Sequence, residues 1–227
     1  MARQIKGIFW DLDGTLVDTG KDIVNAINFT RNNFNLDSLS YSAGMDMIGQ
    51  GFEKLLSRSL AEINPDQQTL DSARSLFIDY YHLHLTDHSI PYPGILNILN
   101  SKQLESHCMA VVTNKNIISS QLLLSELNLI GFFQTIRGGG LNLSLKPEPD
   151  MLVDAMNELN LVPDQMVMIG DSWTDILAAR NAGIISILVD WGFKDVRNHQ
   201  PDYSVKTADE LQQLLVKLTG NSSNPLY

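Results

Sequence analysis

The sequence predicts an α/β protein: a parallel β-sheet core with helices on both faces, interrupted after its first strand by an all-helical insert. Three observations carry this expectation. Four short apolar runs rich in β-branched or bulky residues, at residues 8–10, 109–112, 166–169 and 185–189, read as buried strands. Helical patterns of about ten residues alternate with them, as βαβ units require. Between Val17 and Ser89 no such run is evident, and apolar residues recur at helical spacing instead. The division that follows is a core of residues 1–17 and 89–227 and an insert of residues 18–88.

Taken in order, the first strand, Ile8-Phe9-Trp10, runs into Asp11-Leu12-Asp13-Gly14-Thr15. Ile23, Ala26, Ile27, Thr30 and Phe34 then mark one face of a helix, and Phe52, Leu55, Leu56, Ser59 and Leu60 another. Asn64-Pro65 supplies an N-cap and a first-turn proline for a third helix through Leu70, Ala73, Phe77 and Tyr80. Pro91-Tyr92-Pro93-Gly94 marks the return to the core. Further helices are expected over residues 94–103, 119–129, 150–159 and 175–182. The second strand runs into Thr113-Asn114-Lys115 and the third into Gly170-Asp171-Ser172. Gly138-Gly139-Gly140 reads as a loop leaving a strand, and the tail from Gly220 to Pro225 as frayed.

Composition removes several classes of function. With 227 residues, 44% hydrophobic and 19% charged, the chain suits one globular domain carrying a sizeable insert. Its single cysteine, Cys108, can form no internal disulfide and belongs to no zinc-binding cluster, so a reducing cytoplasm is expected. No stretch approaches the ~18 consecutive apolar residues of a membrane span, and Met1-Ala2-Arg3-Gln4-Ile5-Lys6 lacks the apolar core of a signal peptide. No membrane partner is expected. Sixteen Lys plus Arg against 26 Asp plus Glu leave a formal charge of −10 without a basic run, which argues against nucleic acid. A phosphorylated ligand would then need cations concentrated locally or supplied as metal.

In an open parallel sheet the carboxyl ends of neighbouring strands converge on one crevice, where ligands bind. Three polar clusters distant in sequence would therefore meet. Asp11, Asp13 and Asp171 crowded there repel one another unless a hard divalent cation sits among them, and oxygen-only ligands point to Mg²⁺. Lys146, in Lys146-Pro147-Glu148-Pro149, offers a second positive charge, and Thr113 and Asn114 offer donors to phosphoryl oxygens. A carboxylate nucleophile, a metal, a lysine and such donors are the inventory of phosphoryl transfer through an aspartyl-phosphate.

Other residues read more plainly. His84 and His88 share a helical face while His82 lies about 200° from His84, so no metal site forms and ordinary, partly exposed histidines are expected. Lys115 reads as an exposed lysine ahead of a phosphate contact, and Trp173 and Trp191 as packing or lid contacts or as rings that stack on substrate. In the insert, Lys21, Arg31, Gln50 and Lys54 are the polar side chains available to read a substrate.

Asp11-Leu12-Asp13-Gly14-Thr15-Leu16-Val17-Asp18-Thr19, Thr113-Asn114, Lys146-Pro147 and Gly170-Asp171-Ser172-Trp173-Thr174-Asp175 follow in the order of four motifs, their leading residues 102, 33 and 25 positions apart. This set resembles the haloacid dehalogenase superfamily, whose members have a Rossmann-like core and, in the insert's position, a mobile helical cap. The resemblance implies Asp11 as nucleophile and Asp13 as general acid and then base. It implies Mg²⁺ held by the Asp11 side chain, the Asp13 carbonyl and Asp171. Asp175 would orient the metal's waters or Lys146, and Thr113, the Asn114 backbone and Lys146 would meet the phosphoryl oxygens. An acid at Asp13 is expected of phosphatases and phosphomutases rather than dehalogenases.

Within the superfamily, Met47-Ile48-Gly49-Gln50-Gly51, Val112-Thr113-Asn114-Lys115 and Pro91-Tyr92-Pro93-Gly94 resemble the phosphoglycolate phosphatase group, although Gly140 stands where that pattern usually has an acid. The expected substrate is a small phosphorylated metabolite, phosphoglycolate first, acted on by a monomer or homodimer. A sugar-phosphate phosphomutase and a phosphorylation-gated binding protein are the alternatives.

Overall fold

The computed structural model describes residues 4–193 and 196–220. Met1-Ala2-Arg3 and the tail from Asn221, whose fraying the sequence suggests, lie outside the described residues. The chain opens with β1 (Gly7–Trp10), and a short β2 (Val17–Asp18) follows the turn after it. Helices α1 (Gly20–Asn33), α2 (Tyr41–Met45), α3 (Phe52–Ser59) and α4 (Gln67–Leu83) make up the insert. It closes at β3 (Ile90–Pro91), which pairs antiparallel with β2, Val17 opposite Pro91. Then follow α5 (Ile95–Leu99), β4 (Cys108–Asn116), α6 (Ile117–Glu126), β5 (Thr135–Gly139), α7 (Asp150–Glu158) and β6 (Met166–Gly170). The chain ends with α8 (Trp173–Ala182), β7 (Ile185–Val189), β8 (Tyr203–Val205) and α9 (Ala208–Thr219).

Six strands form one sheet in the order β5-β4-β1-β6-β7-β8, and each neighbouring pair is parallel. From β1 the chain builds outward through β4 to β5, then returns to β6 on the other side of β1. That reversal opens a crevice at the carboxyl ends of β4, β1 and β6. All four residues of β1 are buried, so polarity does not alternate along it, as expected for a strand covered on both faces. Its side chains still alternate between partners. Ile8 and Trp10 join Val111, Val167 and Ile169, with Leu211 and Leu215 of α9, in a cluster continuous with Ile27, Leu56 and Phe77 of the insert. Phe9 joins Ala110, Val112 and Met168 against Leu152 of α7 and Ala178 of α8.

Several details depart from the sequence-based expectations. Asn64 is not the N-cap of α4: it takes a left-handed backbone (φ 45°), and Asp66 caps the helix by accepting from the Thr69 N–H at 2.8 Å. His84 and His88 share no helical face, because α4 ends at Leu83; His84 pairs with Asp87 at 2.7 Å instead. Gly138 and Gly139 belong to β5 rather than to a loop. A Cβ at Gly138 would stand 2.8 Å from the Lys115 carbonyl, so bare backbone here lets the end of β4 approach.

Candidate active site

The turn after β1 presents two carboxylates in different surroundings. Asp11, 8% exposed, accepts from the Leu12 N–H at 2.7 Å and lies 3.0 Å from Lys146 Nζ. Two residues on, Asp13 turns elsewhere: it accepts from Thr19 Oγ1 at 2.7 Å and from Lys115 Nζ at 3.0 and 3.1 Å. Gly14 has φ +82°, and a Cβ there would come within 2.3 Å of Asp171 Oδ2. Glycine is thus required twice, for the left-handed turn and for the closeness of β6.

Asp171 follows β6, is buried, and accepts from the Phe193 N–H at 2.6 Å. Asp175, on the first turn of α8, divides its oxygens: Oδ2 accepts from the Ser172 N–H at 3.1 Å and hydroxyl at 2.7 Å, and Oδ1 from Lys146 Nζ at 2.6 Å. Lys146 Nζ also donates to the Val112 carbonyl at 2.7 Å, so its ammonium is fully engaged and its side chain wholly buried. Asn114 holds that lysine's backbone, accepting from the Lys146 N–H at 2.8 Å and donating to its carbonyl at 2.9 Å. Its other amide hydrogen reaches the Gly49 carbonyl of the insert at 3.2 Å, which leaves only the Asn114 backbone for a ligand. Thr113 is buried and lines the cavity beside Asp11.

Carboxylate oxygens of Asp11, Asp171 and Asp175 lie within 4.8 Å of one another. The crowding foreseen at the crevice is real, but Asp175 takes the place in it that the Asp13 side chain was expected to fill. Burial pushes the Asp11 carboxyl up to about 7; Asp175 adds to the rise and Lys146 opposes it. Asp171 is raised as well, by burial first and then by Asp175 and Asp11. Three acidic groups against one buried ammonium leave a surplus of negative charge on oxygen donors, and that donor set fits a hard divalent cation.

Lys115 is the residue the sequence-based reading undervalued. Rather than exposed, it is buried at the cavity wall, bonded to both Asp13 oxygens and to Tyr81 Oη of α4 at 2.7 Å. Burial pulls its pKa down, yet Asp13 and Tyr81 outweigh this and the ammonium is stabilised. Tyr81, pushed up to about 12 chiefly by burial, keeps its proton. The helical repeat through Phe77 was the available signal for Tyr81, since i+4 from Phe77 falls there. Of the insert's polar candidates, Gln50 lines the cavity, whereas Arg31 is buried against Asp37, Ser59 and Glu62. Lys21 and Lys54 are exposed and do not line it. Trp191 donates to the Thr15 carbonyl at 3.2 Å, and Trp173 lies under Arg197; both are packing contacts.

This arrangement has close parallels. A family model described as "Haloacid dehalogenase-like hydrolase" matches residues 8–189. A phosphoglycolate phosphatase of Chromobacterium violaceum is 32% identical over 219 residues, covering 94% of this chain and 97% of that one. One from Agrobacterium fabrum is 34% identical over 189 residues, covering 82% and 81%. Among solved structures, a protein described as a "predicted phosphoglycolate phosphatase" from Haemophilus somnus superposes with a TM-score of 0.87 at 26% identity, covering 94% of this chain and 99% of its own. No helix among the described residues is long and apolar enough to cross a membrane. With a match that spans the sheet from β1 to β7 and relatives at this identity over nearly its full length, the chain belongs to the haloacid dehalogenase-like hydrolases.

Proposed function

We propose that the chain is a Mg²⁺-dependent phosphomonoester hydrolase that works through an aspartyl-phosphate on Asp11, with phosphoglycolate among its substrates. The observation that carries this reading is that Asp11, Asp13, Thr113 and Asp171 all line one cavity while a fully buried lysine touches Asp11. The names of the relatives support the substrate.

An Asp11 carboxylate oxygen attacks phosphorus, and the ester P–O bond breaks. Asp13, 13% exposed at its side chain and facing the same cavity, gives a proton to the departing alcohol oxygen. It then takes one from the water that attacks the phosphoryl group on Asp11, releasing phosphate and restoring both carboxyls. Proton transfer of this kind contributes ~10²–10⁴-fold. Lys146 holds the attacking carboxylate in place and, through Asp175, is itself held. Thr113 and the Asn114 backbone meet the phosphoryl oxygens. The Asp11 side chain, the Asp13 carbonyl and Asp171 would hold Mg²⁺, which when bound neutralises charge on the transferring group. Residues 18–88 serve as a cap over this cavity, entering and leaving the core side by side through β2 and β3.

Phosphate release from phosphoglycolate tests the reading. Turnover with Mg²⁺, lost on adding EDTA and abolished by Asp11→Asn, is the expected result. Release by Asp11→Asn above a few per cent of the unsubstituted rate would remove Asp11 as nucleophile. Isomerised sugar phosphate without release would assign a mutase instead.

A further inference from the structure

The cavity above Asp11 has two chemically different ends. From the core it is lined by polar residues that include Asp11, Asp13, Thr113, Lys115 and Asp171, and from the insert by an apolar wall of Ile48, Phe52, Leu55, Phe77 and Ile78. A volume of about 380 Å³ falls in the ~300–1,000 Å³ range of sites that enclose drug-sized ligands. A two-carbon acid leaves much of that space unfilled.

Lys115 is the one cationic side chain among the described residues lining the cavity, and its ammonium is already spent on both Asp13 oxygens and Tyr81 Oη. Asp46, Gln50 and Tyr81 are the polar side chains on the insert's side, and none of them is a cation. Gln50 accepts from Arg58 at 3.1 Å, but Arg58 is exposed and does not line the cavity. A carboxylate on the non-phosphate end of a substrate would therefore face apolar carbon and Asp46 with no cation to meet it, which is costly. An apolar skeleton would exchange water for Phe52, Phe77 and the aliphatic side chains, which is favourable in proportion to the area covered.

We propose that phosphomonoesters of uncharged, apolar alcohols are a second substrate class of this chain, better served by the cavity than phosphoglycolate. The carbon skeleton packs among Ile48, Phe52, Leu55, Phe77 and Ile78. This rests on the phosphatase reading above and uses the same chemistry: the ester P–O bond breaks, the alcohol oxygen takes its proton from Asp13, and water supplies the oxygen that returns phosphate.

The test is kcat/KM for ethyl, butyl and hexyl phosphate beside phosphoglycolate, on the full chain with Mg²⁺. The expected result is a rise of about fourfold per added methylene, with hexyl phosphate ahead of phosphoglycolate by at least about tenfold. A flat series, or phosphoglycolate ahead of hexyl phosphate, overturns the apolar class and leaves the phosphatase reading standing. No release from any ester overturns both. Ile78→Arg, which sets a cation in the apolar wall, should lower the hexyl-to-phosphoglycolate ratio by about tenfold or more. An unchanged ratio in a variant with native circular dichroism would remove the alcohol from that wall; the alkyl series on the unsubstituted chain decides the matter independently if this variant does not fold.

Discussion

Lys115 Nζ lies 3.0 Å from Asp13 Oδ1 and 2.7 Å from Tyr81 Oη, so one buried ammonium joins the turn after β1 to the last turn of α4. The pair is nearly dry, with side-chain exposures of 7% for Lys115 and 13% for Asp13. Removing one partner of a buried pair costs ~3–5 kcal/mol; Thr19 still donates to Asp13, so Lys115→Met should lose about 3 kcal/mol, at the lower end of that range. Tyr81→Phe removes one hydrogen bond to a charged group and should cost ~1.5–3 kcal/mol. The two losses meet at the same ammonium, so the double variant should lose less than their sum. Urea unfolding of the four proteins checks this, and strict additivity would show that the contacts do not act as a unit.

The carboxylate cluster makes a pH prediction with a definite sign. Asp11 titrates near 3.8 when free and at about 7 in the folded chain, and Asp171 is raised in the same direction. Between those values the folded state binds more protons than the unfolded state, so stability present at low pH is lost as pH rises through the window. In EDTA the urea midpoint should fall between pH 5 and pH 8. Asp11→Asn should flatten part of that fall, because the amide carries no charge to bury, and the difference between the two proteins isolates the Asp11 share. An identical slope in both would mean that the Asp11 carboxyl does not sense its neighbours.

How much of this was legible in the sequence follows from where each residue's signal comes from. Strands β1 and β6 and the first half of β4 are buried on both faces and so appear as apolar runs, as does β7 apart from Ser186, and the polar residues that end three of them fall at the crevice by topology alone. β5 escaped because Arg137, Gly138 and Gly139 make an edge strand look like a loop, while β8 is three residues long with Tyr203 and Ser204 exposed. The start of α4 was misplaced by one turn chemistry mimicking another: Asn64-Pro65 satisfies the cap-and-proline pattern, yet Asn64 takes the left-handed backbone that asparagine tolerates and Asp66 caps. Lys115 was missed for a different reason. A lysine's burial depends on what the insert lays over it, and Tyr81 stands 34 positions away in sequence.

Glycine at 192 is a steric requirement of the site. A Cβ there would stand 2.2 Å from the Gly14 carbonyl and 2.4 Å from Asp171 Cβ, and the first of these neighbours is backbone that cannot swing aside. Gly192→Ala should therefore displace the segment that carries the Phe193 N–H away from Asp171, at an overpacking cost of ~1–3 kcal/mol. A lower thermal midpoint together with a higher Mg²⁺ concentration for half-maximal activity is the expected pair of results. A variant matching the unsubstituted protein in both would show that this loop adapts freely.

Arg31 was a candidate to read substrate, and its contacts predict a different consequence of removing it. Its Nε donates to the Asp37 carbonyl at 2.7 Å, Nη1 to the Ser59 carbonyl, and Nη2 to Glu62 at 2.7 Å. Glu62 is 60% exposed at its side chain, so that ion pair adds little in water. The Ser59 carbonyl matters more: it is buried and loses its donor when Arg31 is shortened, and an unsatisfied buried acceptor costs ~1–3 kcal/mol, whereas water can replace the donor at exposed Asp37. Arg31→Ala should accordingly destabilise the chain by about 1–3 kcal/mol, loosening α1 from the end of α3. Because Arg31 does not line the cavity, KM for phosphoglycolate measured well below the melting range should stay within about twofold. A tenfold rise in KM with unchanged stability would return Arg31 to the substrate and refute its role as a strut within the insert.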